Sequence, residues 1–170
     1  MALTQHFSIE RSWDGELITP EARVKIDLRI DTAGAHVKIE SPYHGDAPPQ
    51  EPPGSTWALW EHEVVELFLV DEDGSYLELE FGPHGHFLGL RLAAPREMVS
   101  THLKLDYRSR IVDKRWFGEA FVSAEHLPIK LSRWNAFAIS GNRSARQYLT
   151  WSRLPGLSPD FHQPQHFPSV

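Results

Sequence analysis

The chain has no cysteine among its 170 residues. That excludes a disulfide framework, a thiolate metal site and a cysteine nucleophile. It also lacks a positive balance, since 17 Lys and Arg against 23 Asp and Glu leave a formal net charge of −6 at pH 7. Nucleic-acid binding ordinarily needs a basic face, so no nucleic-acid partner is expected. No apolar run approaches the roughly 20 residues that a membrane-spanning helix requires. The opening MALTQHFSIERSWDG has no basic segment leading into an apolar one, so no secretory signal is visible. The expectation is a soluble, cytoplasmic protein with no membrane partner. Helix-period segments are almost absent too, and no repeat of 20–50 residues is visible.

What is present suits one domain. A hydrophobic fraction of 41% with 24% charged residues is ordinary for a soluble globular protein. At this length a single domain over residues 1–170 can bury a sizeable core. The dominant pattern is alternation. In ARVKIDLRI, Val24, Ile26, Leu28 and Ile30 fall on one side and Lys25, Asp27 and Arg29 on the other, the signature of a half-buried strand. Ala33-Gly34 turns the chain into a second alternating run, His36 to Glu40. LKLDYRSRIV, KRWFGEAFVS, WNAFAISG and QYLTWS continue the series, and Ser123 with AEHLP predicts one helical turn before Pro128. About nine short strands separated by turn residues predict an all-β, antiparallel β-sandwich.

Two segments break the pattern. Residues 41–56 are proline-rich, with five prolines between Ser41 and Ser55, and read as an extended surface loop. A connector is the plainer role for most of it, but its place before Trp57 lets it wall a site. Residues 153–170 hold four prolines and no period. Phe161 and Phe167 there predict a tail that packs on the domain.

The stretch from Trp57 to Arg91 carries the candidate chemistry. Glu66 shares a strand face with Phe68 and Val70, and Glu78 and Glu80 share a face with Tyr76. A hairpin at Asp71–Ser75 puts all three glutamates on one surface. Like charges across a ladder repel, so such a patch calls for a cation, a donor-rich ligand or arginine partners. The plain alternative is a solvated outer face with a neighbour such as Arg91. Aromatic rings beside carboxylates suit sugar recognition, the ring stacking on a pyranose face while the carboxylate accepts hydroxyl hydrogens. Trp60 precedes the hairpin, and Trp151 and Phe161 come late in the chain. Trp13, Trp116 and Trp134 read as core.

Ten histidines invite a metal reading. His84 and His86 form an HxH, but across a Pro-Gly turn, and two exposed turn histidines are the simpler expectation. No HExxH and no GxSxG elbow occurs. A hydrolase or metalloenzyme built on Glu66, Glu78, His84 and His86 stays as an alternative, and a protein-interaction domain as another.

LWEHEVVELFL followed by YLELEFGPHG, then WNAFAISG, YLTWS and PDFHQPQHF, resemble an uncharacterised protein family, itself distantly similar to family 9 carbohydrate-binding modules and their DOMON-like relatives. The resemblance runs from Ser12 to Phe167 and implies a β-sandwich that binds saccharides without catalysis. In those modules a Trp-Glu-x-Asp-x-x-Glu segment supplies a stacking tryptophan and a sugar-binding acid. Trp60 and Glu66 match these, and Glu63 stands where the Asp would be. A second stacking aromatic of a late Trp-x-x-Pro segment matches Phe161, three residues before Pro164. The modules place an arginine where this chain has Glu78, a departure that removes a hydroxyl donor. The resemblance implies Trp60, Glu63, Glu66 and Phe161 as ligand-binding residues, and Trp151 and His162 join them as nearby candidates, with a saccharide or similar small molecule as partner. Calcium occurs in some such modules, without ligands that transfer to named residues. Haem in the cytochrome relatives is held by Met and His; with only Met1 and Met98 here, no haem is expected.

Overall fold

The alternating segments are strands in the computed structural model, which describes residues 2–170. Met1 lies outside the described residues. In chain order they are β1 (Leu3–Ile9), β2 (Arg11–Ser12), β3 (Val24–Ile30), β4 (Gly34–Pro42), β5 (Gly54–Ser55), β6 (Val64–Asp71) and β7 (Tyr76–Phe81). Then follow β8 (His86–Ala94), β9 (Glu97–Ser100), β10 (Asp106–Val112), β11 (Arg115–Ser123), β12 (Leu131–Ser140) and β13 (Gln147–Thr150). One sheet runs β1-β3-β4-β11-β10. The other runs β2-β13-β12-β6-β7-β8-β5, with β9 on β8. All pairings are antiparallel except the short β5–β8 contact. The fold is a β-sandwich.

Three strands were not expected from the sequence. β2 and β5 have two residues each, too few to show a period, and all four residues of β9 are exposed. The expected helical turn exists as a 3-10 turn at Ala124–His126, but Ser123 makes no side-chain cap bond to it.

The inner faces meet in a dry core. Val24, Ile26 and Leu28 of β3 and Val37 and Ile39 of β4 pack against Val65, Leu67 and Leu69 of β6 and Leu77, Leu79 and Phe81 of β7. Trp116 and Trp134 are buried there as well. Each such side chain contributes about 1.5–3 kcal/mol on leaving water.

The eight-stranded sheet is buried on its other face too, where an antiparallel sheet commonly meets solvent. A second apolar cluster holds Phe68, Val70, Tyr76, Leu88, Leu90, Phe137 and Ile139 from the sheet, and Leu59, Leu154, Phe161 and Phe167 from the segments above it. The cover is pinned by hydrogen bonds. Asn135 accepts from the Ser152 backbone N–H at 3.0 Å and donates to the Ser152 carbonyl at 3.0 Å. Arg133 donates to the Gln165 carbonyl at 2.9 Å, and the Val170 N–H reaches Ser132 O at 3.0 Å. A segment without period is thus held as the lid of a sheet.

Candidate ligand-binding site

Register brings the three glutamates together. Glu66 lies directly opposite Glu80, and Phe68 opposite Glu78, across the β6–β7 hairpin. Since alternate residues share a face, Glu66, Glu78 and Glu80 all point to the covered side. A carboxylate oxygen from each lies within 4.8 Å of the other two. Glu66 and Glu78 are 2% and 3% exposed, and Glu80 is 0% exposed. The solvated-face expectation, with Arg91 as neighbour, is therefore corrected. The tail and the Leu59–Glu61 turn roof this face, and Arg91 donates instead to the Glu125 and His126 carbonyls.

No N–H or hydroxyl donor among the described residues reaches Glu78 Oε2 or either Glu80 oxygen in hydrogen-bond geometry. Arg146 sits near Glu66, but its guanidinium donates to the Gly141, Trp60 and His62 carbonyls. His162 Nε2 is 3.9 Å from Glu78 Oε2, while its Nδ1 lies 2.7 Å from the Tyr76 hydroxyl. Burial first, then the Glu78 charge, push the Glu66 carboxyl well above the usual range, with Arg146 pulling back. Burial raises Glu78 to about 7, the Glu80 carboxyl opposing. Glu80 rises well above its usual value through burial, then the charges of Glu66 and Glu78 and the hydrogen bond it shares with the Glu78 carboxyl. Burial lowers His162 to about 4, so its ring is neutral at pH 7.

Above Glu66 and Glu78 opens a pocket of about 370 Å³. Trp60, Tyr148 and Phe161 give it aromatic walls, Leu90, Leu92, Met98 and Ile139 an aliphatic side, and Arg96, Asp160 and His162 a polar rim. Arg96 pairs with Asp160 at 2.9 Å. Phe161 is fixed by a parallel stack on Phe137, centroids 4.0 Å apart. Trp60 meets half-exposed Trp57 edge to face at 5.1 Å. That meeting depends on Ala58, which turns the chain with a left-handed φ of 59°, a conformation that L side chains rarely adopt.

Four of the six candidate site residues therefore meet in one pocket: Trp60, Glu66, Phe161 and His162. Two lie elsewhere. Glu63 differs from Glu66 in strand parity and takes the other side, where the His44 and Asp46 backbone N–H groups donate to it at 3.0 and 3.4 Å. Burial raises it to about 7, with the His44 N–H opposing. Trp151 stacks on Trp134 at 4.0 Å beside Phe7, away from the pocket. The expectation of two exposed histidines also needs correction. His86 is 3% exposed, because β5 pairs with β8 and draws the proline-rich loop over it. The Glu51 carbonyl lies 2.8 Å from His86 Nε2. His84 is half-buried, 3.3 Å from the Tyr43 hydroxyl. Neither histidine belongs to a converging group of three metal-ligating side chains among the described residues; that group is the glutamate trio. Sequence reasoning missed Arg96, Asp160, Tyr148 and Met98 as pocket residues.

No family model matches the chain. It is 35% identical over 172 residues to the UPF0462 protein C4orf33 of Homo sapiens, covering 96% of this chain and 86% of that protein. The chain belongs to the UPF0462 family. The Rattus norvegicus homologue is 34% identical over 170 residues, spanning 95% of this chain and 85% of its own length, and the Danio rerio homologue is also 34% identical. Among solved structures, a "putative carbohydrate-binding protein" from Bacteroides uniformis superposes on 98% of this UPF0462 chain and 85% of its own, with a TM-score of 0.69 and 15% identity. At that identity the likeness carries the fold. No helix is long and apolar enough to cross a membrane among the described residues.

Proposed function

We propose that the chain is a non-catalytic module that binds a carbohydrate or another polyhydroxylated small molecule in the pocket between Trp60 and Phe161. The observation that carries this reading is the pairing of aromatic walls with an acceptor floor: Trp60, Tyr148 and Phe161 around Glu66 and Glu78 in about 370 Å³. Ligand pockets of this kind are mostly apolar with a few placed polar groups. A sugar ring offers apolar C–H faces to the aromatics and hydroxyl donors to the carboxylates. His162, neutral at pH 7, and the Arg96–Asp160 pair supply further polar contacts at the rim. The carbohydrate-binding description of the fold neighbour supports the reading, as does the resemblance to family 9 modules. The Glu78 position departs from those modules and directs specificity elsewhere.

Hydrolysis fits the geometry less well. Glycosidases place two carboxyl groups on either side of the scissile bond, whereas Glu66, Glu78 and Glu80 rise from adjacent rungs of one sheet face. Titration calorimetry of a panel of neutral and charged saccharides and polyols tests the proposal. At least one should bind, and Trp60→Ala should weaken it tenfold or more while the fold survives. Binding unchanged by Trp60→Ala, or no binding across the panel, contradicts it.

A further inference from the structure

Among the described residues, the floor of the pocket is short of positive charge and of N–H donors. Three carboxyl groups converge within 4.8 Å. The cations around them are committed elsewhere, Arg146 to three carbonyls and Arg96 to Asp160. Glu78 Oε2 lies at the pocket floor and both oxygens of fully buried Glu80 behind it, with no N–H donor among the described residues and only each other's carboxyl as a partner. A buried polar group left without a partner costs about 1–3 kcal/mol, and clustered like charges add to that cost. Filling the space is therefore worth most to a group with donors only and a positive charge. The space above the floor is walled by Trp60, Tyr148 and Phe161, and aromatic faces attract cations too.

We propose that the ligand carries a protonated amine, of the amino-sugar or amino-polyol class, whose ammonium sits on Glu66 and Glu78. This rests on the small-molecule reading above and sharpens it. An ammonium has three donors and no acceptor, the complement of carboxyl groups that only accept once they are ionised. A bare divalent cation fits less well. Calcium takes six to eight oxygen ligands, and beyond the trio the lining offers Leu90, Leu92, Met98 and Ile139 rather than oxygens. The one other carboxylate, Asp160, is paired with Arg96.

Proton linkage follows from the geometry. Ammonium binding favours ionised carboxylates, so it expels protons that burial keeps on the trio. Affinity for the amine then rises with pH toward 7, where Glu78 titrates. Arg146, Arg96, Asp160 and His162 also face the pocket or its floor. His162, down at about 4, is already neutral across that window.

The test is calorimetry on the full chain with matched pairs: glucosamine, N-acetylglucosamine and glucose, their galacto and manno counterparts, and 1-amino-1-deoxysorbitol against sorbitol. In at least one series the free amine should bind tenfold or more tighter than its neutral partners. That advantage should grow between pH 5.5 and 7 for wild-type protein, and shrink below threefold in Glu78→Gln, whose folding is checked by its melting curve. If neutral partners bind as well as the amines in every series, or the advantage is flat with pH, the amine proposal fails while the saccharide reading stands. If no member of any series binds, both fail. Calcium or magnesium chloride alone forms the last arm. Stoichiometric uptake that Glu80→Gln abolishes and that excludes the amines overturns the proposal in favour of a metal.

Discussion

On the outer face of the five-stranded sheet, Glu40 lies 3.4 Å from Lys25 Nζ and 2.9 Å from Arg115 Nε, and Glu119 is gripped by Arg108. On the outer face of the eight-stranded sheet, Glu66, Glu78 and Glu80 have no Lys or Arg nitrogen within 4 Å among the described residues; His162 approaches Glu78 alone. Both faces are written in the same alternation of apolar and charged residues. What separates them is the roof. Neighbouring cations satisfy the first set, whereas the tail covers the second and leaves Glu78 Oε2 and both Glu80 oxygens without an N–H donor among the described residues. A fold selected for stability alone has little reason to keep three carboxyl groups there, which is the physical case for a ligand.

The largest effect should come from removing the roof's anchor. Phe161→Ala gives up the stack on Phe137 and should lower stability by about 3–5 kcal/mol, read by chemical denaturation. A loss of under about 1 kcal/mol would mean that the tail merely rests on the sheet. Next comes Glu80→Gln, whose sign is opposite. The raised carboxyls of Glu80, Glu66 and Glu78 favour the protonated form in the fold. Their stabilising contribution is complete below the unfolded value near 4.5 and is lost as pH rises through their raised folded values, about 7 for Glu78. At pH 8 Glu80→Gln should therefore gain about 1–3 kcal/mol, with less gain at pH 5. The histidines lowered by burial, His162, His44 and His84, tilt the wild-type curve the other way, so the difference between the two proteins is the quantity to follow. A loss at pH 8 would reveal a partner for the cluster.

Glu63 sharpens the contrast, because it is buried but partnered. Glu63→Ala strands the His44 and Asp46 N–H groups and should cost about 1–2 kcal/mol by equilibrium denaturation. A gain instead would place Glu63 with the unsatisfied trio. The smallest effect belongs to the solvated face, where Glu119→Gln should leave the denaturation midpoint unmoved, since exposed ion pairs contribute little. A clear shift there would erase the distinction between the faces.

Much of this was legible in the sequence. Alternation foretold the sandwich, and the hairpin at Asp71–Ser75 foretold that the three glutamates share a face. Period alone gives the side of a residue but not what covers that side. The cover here comes from Phe161 and His162, about 80 residues after Glu78–Glu80 in a segment with no period, so burial of the trio was hidden. Arg96 and Asp160 were hidden for the same reason, because they meet across 64 positions. Strand parity was the overlooked signal for Glu63, which stands an odd number of residues from Glu66 and so faces away from it. Trp151 carried no such signal, since a tryptophan reads alike whether it stacks on a ligand or on Trp134.

One measurement bears on the central claim directly: a side-chain carboxyl NMR titration of the ligand-free protein, repeated with a saturating ligand. The account predicts that Glu78 titrates near 7 and Glu66 and Glu80 well above the ordinary carboxylate range, and that all three fall toward that range when the ligand fills the pocket. Three midpoints near 4.5 in the ligand-free protein, or raised midpoints that no bound ligand moves, would contradict it.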